Sequence, residues 1–286
     1  MSQNAITAQL GFAHLQDLPC YVLTCGQAKA VISSYGAHLL SYQPKAGTEV
    51  IYLSPEAEWQ DNTPIRGGVP VCWPWFGPTA AELNPAQKKL PNHGVVRTEL
   101  WQLVKKSVSE HAVIIEFGIT TSSLPYQDAP AHLSLQLTLT ETDLSLTLNS
   151  DQAVQQAALH SYFVVDSVHQ AVVSDLTGNY LDKVEAGKEF HQTIEELRFS
   201  KEVDRVYLST PEQLTLKDGK AQLQIIQQGH DASVLWNPWS EKAAMLKDLP
   251  DLGYLDFVCV ETARLSLNNK TPLQLVQQIR YTGQLE

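Results

Sequence analysis

A strict alternation of leucines constrains this chain more than any other feature. Leu133, Leu135, Leu137 and Leu139 alternate with polar residues, and the pattern resumes after Glu141-Thr142-Asp143 at Leu144, Leu146 and Leu148. A period of two places every leucine on one face of an extended strand, whereas a helix would scatter them around its axis. Leucine is no strong strand former, so the period overrides propensity, and residues 133–148 read as a β-hairpin with one buried face. Residues 214–226 suggest a second hairpin around Lys217-Asp218-Gly219-Lys220, where Asp-Gly is a pair that type I′ turns favour. Further strands are expected at residues 21–25, 28–33, 112–119, 256–260 and 273–281. Helical patterns are short, with one or two turns expected at 154–158 and 241–246. The alternation of strand and helix that builds a doubly wound sheet is missing. The chain therefore reads as a mostly-β protein, a large antiparallel sandwich with few short helices, forming a single domain over residues 1–286.

Composition narrows the function. With 286 residues, 43% of them hydrophobic, the chain can bury a sizeable core. Its formal net charge of −11 disfavours nucleic acid and anionic membrane surfaces as partners. A small anionic substrate is still admissible where a local cationic site overcomes that field. Residues 1–11 lack a secretory pattern, and no apolar run approaches the ~18 residues that span a bilayer. Cys20, Cys25, Cys72 and Cys259 form no Cys-x-x-Cys pair. Reduced thiols, a cytoplasmic location and a monomer are the expectations.

Three segments rich in Pro, Trp and Gly read as loops, at residues 66–78, 91–97 and 234–239, and loops on a rigid scaffold are where binding groups concentrate. Two of the chain's six arginines, Arg66 and Arg97, fall in them. A guanidinium forks onto phosphate or carboxylate oxygens, so converging arginines would make an anion clamp. The alternative is pairing with a nearby acid such as Asp61 or Glu99. His93 and His160 can give and accept protons near neutral pH, or serve as satisfied structural histidines. Glu261 ends the apolar run 257–260, where desolvation would raise its pKa and strengthen it as a base; the alternative is an ion pair with Arg264. Asp204 could pair with Arg205 or line a site. Trp73, Trp75, Trp236 and Trp239 could stack on sugar rings or form a hydrophobic lid. Gly67-Gly68 would let backbone approach a ligand. Metal-ligand, Walker and serine-hydrolase patterns are all missing.

Taken together and in order, the segments Arg66-Gly67-Gly68-Val69-Pro70-Val71-Cys72-Trp73-Pro74-Trp75-Phe76-Gly77, His93-Gly94-Val95-Val96-Arg97, Leu159-His160-Ser161-Tyr162-Phe163, Val203-Asp204-Arg205-Val206-Tyr207, Val234-Leu235-Trp236-Asn237-Pro238-Trp239 and Val260-Glu261 resemble the hexose-6-phosphate mutarotases of the aldose 1-epimerase superfamily. The resemblance implies a galactose-mutarotase-like β-supersandwich that interconverts the α and β anomers of glucose 6-phosphate or a related hexose phosphate without cofactor or metal. It implies His160 as general acid, Glu261 as general base, and Arg66, His93, Arg97 and Asp204 as substrate-binding residues, the arginines chiefly for phosphate. Asn92 stands where relatives often carry glutamine; it is expected to bind substrate too, with a reach shorter by one methylene. A mutarotase for free aldoses and a non-catalytic carbohydrate-binding sandwich are the competing readings.

Overall fold

The computed structural model describes residues 4–122, 124–219 and 221–284. Among them, the strands form antiparallel sheets of four, eight and nine strands. The leucine hairpin lies within the nine-stranded sheet as Ala131–Leu139 paired with Asp143–Ser150. All seven alternating leucines are buried. Their side chains, with Leu275 and Ile279 of the adjoining strand Leu273–Gln284, make one continuous apolar face. Both other sheets pack against it, so Leu23 and Ile32 of the four-stranded sheet share a core with Val258 and Val260 of the eight-stranded one. Each strand of the leucine face is thus half-buried by one layer, which is what period-two sequences require.

The second expected hairpin forms from Gln213–Lys217 and Ala221–Gln228. Gly219 takes φ 87°, and the Asp218 N–H donates to the Ala221 carbonyl across the turn. Lys220, part of the expected turn, lies outside the described residues. The other expected strands are present and mostly longer: Leu15–Cys25, Ala28–Ser33, Val113–Thr121, Phe257–Arg264 and Leu273–Gln284.

Two expectations about local structure fail. The helix expected at 154–158 is instead an irregular stretch leading into the strand Ala157–Leu159. That strand is held between Val71–Cys72 and Phe257–Arg264, and both of its faces are covered. Its run of small apolar residues reflects two-sided burial and not a helix. The segment 234–239, read as a loop, is largely the strand Ala232–Asn237 near the centre of the eight-stranded sheet. The helix expected at 241–246 begins two residues earlier, as Trp239–Ala243, and is continued by single turns.

Gly67 and Gly68 do not await a ligand. Both have positive φ, and a Cβ on Gly68 would strike His38 and the Leu39 carbonyl. The pair lets this segment cross the protein's own backbone. All four cysteines are free and buried.

Candidate active site

Residues opposite each other in a sheet point to the same face, as do positions two apart along a strand. This rule assembles the site from two adjacent rows across the eight-stranded sheet. The pairs Leu159↔Thr262 and Tyr162↔Cys259 keep one register, which sets His160 directly opposite Glu261. Glu261 in turn faces Val234, and Val234 faces Val206. The next row runs Tyr162, Cys259, Trp236, Asp204. Lys183 extends it, its N–H donating to the Asp204 carbonyl at 2.8 Å. These rows floor a cavity of about 380 Å³, a size suited to a small metabolite. Segments 66–78 and 91–97 form its rim, and all seven residues singled out from the sequence line it: Arg66, Asn92, His93, Arg97, His160, Asp204 and Glu261.

On the floor, His160 Nε2 lies 3.4 Å from Glu261 Oε1. Glu261 is 1% exposed and His160 9%. Burial pushes the imidazole well below its usual range, helped by the neighbouring His93, Arg97 and Arg66. Burial pushes the carboxyl well above its own, with the Lys183 charge opposing and Asp204 reinforcing. Both shifts favour the uncharged form of each partner. Glu261 makes no ion pair with Arg264, whose guanidinium donates to the Thr271 and Pro272 carbonyls.

His93 has a fixed tautomer. The Gly77 N–H, which can only donate, points at His93 Nδ1 over 3.3 Å, and Cys72 Sγ sits 3.5 Å from the same atom. The ring proton is therefore on Nε2. Burial, then the charges of Arg97, Lys183 and Arg66, push the His93 pKa down to about 3, so the ring is a neutral hydrogen-bond donor at working pH. His93 takes φ 64° and Gly94 φ 79°. A Cβ on Gly94 would collide with the Trp73 backbone, so only glycine lets the loop deliver this ring.

The two arginines are not equivalent. Arg66 Nε lies 3.1 Å from Asp248 Oδ1, and its Nη1 donates to the Tyr162 hydroxyl at 3.0 Å. Its charge is largely answered by an acid, though not by Asp61. Arg97 donates through Nη2 to the Asn92 carbonyl at 2.9 Å, and among the described residues it has no carboxylate partner, Glu99 included. Asn92 thus serves the rim through its backbone. Asp204 pairs with Lys183 at 3.8 Å, while its chain neighbour Arg205 points to the other face and pairs with Asp182 at 3.3 Å.

The tryptophans divide. Trp73 and Trp75 are wholly buried core residues, which removes them as sugar-stacking groups. Trp239 packs on Tyr254 and His169. Trp236 alone of the four lines the cavity, with Phe76 and Tyr162. Sequence reasoning missed Lys183, Lys242 and Asp248, which also line it. Lys183 Nζ stands 4.5 Å over the Phe76 ring, and Lys242 pairs with Glu202 at 2.7 Å. No local motif marks them; the available signal was Lys183's position beside Asp204, visible only once strand register is known.

Among the described residues no group of His, Cys, Asp and Glu could hold a metal ion, and no helix is long and apolar enough to cross a membrane.

Comparison with known proteins places the chain in a family. A protein of Escherichia coli K12 named "Putative glucose-6-phosphate 1-epimerase" is 36% identical, over 96% of this chain and 94% of its own length. The crystal structure of a "putative mutarotase" from Salmonella typhimurium superposes with a TM-score of 0.86 at 31% identity, covering 98% of this chain and 97% of that one. Galactose 1-epimerase from Lactobacillus acidophilus, at 14% identity and a TM-score of 0.76, shares the fold over 98% of this chain and 99% of its own. The profile of the aldose 1-epimerase family matches residues 19–278, and the chain belongs to that family of isomerases.

Proposed function

We propose that the pocket interconverts the α and β anomers of a hexose 6-phosphate, with glucose 6-phosphate as the first candidate. The observation that carries this reading is the His160–Glu261 contact on the floor of a cavity whose rim presents Arg97. Opening a cyclic hemiacetal needs a proton taken from the anomeric hydroxyl and another given to the ring oxygen. His160 as acid and Glu261 as base supply this when their proton sits on the imidazole; with the proton on Glu261, the same two groups act in exchanged roles. The ring C–O bond breaks, the open-chain aldehyde turns about C1–C2, and reclosure on the other face returns both protons. The neutral Nε2–H of His93 can hold a sugar oxygen while charge develops on it. Trp236 and Phe76 offer apolar surface to the sugar ring, and Asp204 accepts from its hydroxyls. Arg97, assisted by Arg66 and Lys183, takes the phosphate, and that remote grip aligns the reacting carbon.

The site draws on residues from Arg66 to Glu261, which supports reading the chain as one functional unit. Four buried, unpaired thiols support a reducing, cytoplasmic setting.

The test is anomer equilibration followed by NMR, starting from α-glucose 6-phosphate generated in place and, separately, from crystalline α-glucose. Faster equilibration of the phosphate alone is expected. Equal acceleration of both would make this a free-aldose mutarotase, and acceleration of neither by folded protein would leave a carbohydrate-binding module.

A further inference from the structure

On the leucine face, two inward slots break the apolar pattern. The strand Leu273–Gln284 points Leu273, Leu275, Gln277 and Ile279 inward, and Ala221–Gln228 points Leu223, Ile225 and Gln227 inward. Gln227 and Gln277 are both 0% exposed and stand directly opposite each other in register. A buried amide costs stability unless its donors and acceptor are all answered, so stability alone gives no reason for two of them in a row of Leu and Ile.

Their partners explain them. Gln277 Nε2 donates to the Val260 carbonyl at 3.2 Å and to Thr262 Oγ1 at 2.8 Å, and its Oε1 accepts from Ser161 Oγ. Thr262 Oγ1 passes its own proton to Gln227 Oε1 at 3.0 Å. Val260 and Thr262 flank Glu261, and Ser161 follows His160. By strand alternation these three point away from the cavity, so Gln277 touches the chain neighbours of both reacting residues and neither reacting atom.

The backbone ladder is broken at this point. The Val260 N–H donates to the Ser161 carbonyl at 3.2 Å, but the Ser161 N–H turns back to the Leu159 carbonyl at 3.0 Å. In a regular antiparallel pair that N–H would donate to Val260 C=O. Gln277 Nε2 supplies the missing donor from the sheet behind, while the His160 N–H leaves the ladder for the Pro70 carbonyl.

We propose that Gln277, supported by Gln227, is a positioning residue. Its amide splints the ladder break and so fixes the separation across which His160 and Glu261 exchange protons with substrate. The proposal rests on the anomer-exchange reading above, and its test uses two readouts so that the two fail separately. The variant is Gln277→Met, which keeps length and removes the hydrogen bonds. In the folded variant, kcat for hexose 6-phosphate anomerisation is expected to fall about 10- to 100-fold, the scale of a sub-ångström to 1 Å misplacement. KM should stay within about twofold, because the rim is untouched. The His160 ring resonances in a histidine-labelled sample should shift as well. A purely structural glutamine would lower the melting temperature and leave both readouts unchanged, and a folded variant with wild-type kcat overturns the proposal. If the wild type proves inactive, the function reading falls and the kinetic role of Gln277 with it, and the His160 resonances test the splint alone: unchanged signals overturn it, shifted signals uphold it. Should Gln277→Met not fold, Thr262→Val, which deletes one hydroxyl at constant shape, takes its place. A 3- to 10-fold loss of kcat is expected from it, and wild-type kcat with unshifted His160 signals overturns the proposal.

Discussion

The floor and the rim of the cavity are built on opposite principles. The floor is sheet: His160, Glu261, Trp236 and Asp204 occupy fixed positions in two neighbouring cross-strand rows, and their spacing follows from register. The rim comes from segments 66–78 and 91–97, which place the Arg97 guanidinium through one hydrogen bond to a backbone carbonyl. On the floor the His160–Glu261 pair is buried and Asp204 is answered by Lys183, while the rim presents the Arg66 and Arg97 guanidinium groups. On the proposed function, the reacting pair is placed by sheet register and the phosphate contacts by loops, so the two can be perturbed separately.

That contrast breaks most visibly at the floor. Glu261→Gln or His160→Ala should each lower kcat by about 10² to 10⁴, on phosphorylated and plain sugar alike. A folded variant of either kind that turns over normally would separate the pair from the reaction. At the rim, Arg97→Ala should raise KM for the hexose phosphate by roughly 10- to 100-fold, the usual range for losing a charge-assisted contact, and leave kcat within a few-fold. Added salt should mimic this loss in the wild type and leave the floor chemistry unaffected. An equal effect of Arg97→Ala on glucose would take the phosphate away from that residue.

The pH profile sharpens the comparison further. An acid and a base with ordinary pKa values would work as imidazolium and carboxylate only in the narrow interval between about 4.5 and 6.5. Here the imidazole is depressed and the carboxyl raised, which widens at both ends the interval over which the pair holds one proton between them. Activity should therefore hold a plateau across neutrality. It should fall on the acid side only well below 6.5, when His160 also charges, and on the alkaline side only well above 4.5, when the shared proton leaves. A sharp optimum near pH 5.5 would contradict this electrostatic picture. The smallest effect belongs to Lys183→Met. The Lys183 charge holds the Glu261 carboxyl down, so its removal should move the alkaline limb of kcat to higher pH with little change in kcat at the plateau, beside a modest rise in KM from the lost phosphate contact.

Legibility from sequence followed the same divide. The leucine hairpin and the strand at Leu273–Gln284 were readable because alternation is local. The rim arginines and His93 stood out because glycine and proline mark the loops that carry them. The segment 234–239 reads as a loop because Asn237-Pro238 gives a turn signal that belongs only to the end of the strand Ala232–Asn237. The contact of His160 with Glu261, the separation of Asp204 from Arg205, and the presence of Lys183 all depend on register between distant strands. A one-residue slip would have reversed each of them, and nothing in the linear sequence fixes that pairing.

The four buried cysteines have a practical consequence. Cys72 and Cys259 lie against the cavity wall and floor, fully enclosed, and burial raises both thiols above their ordinary range. A thiol reagent can reach them only when the strands around His160 and Glu261 come apart. Their alkylation rate is thus a built-in clock for opening of the active-site sheet, readable on the unmodified protein and slowed by whatever ligand fastens that sheet shut.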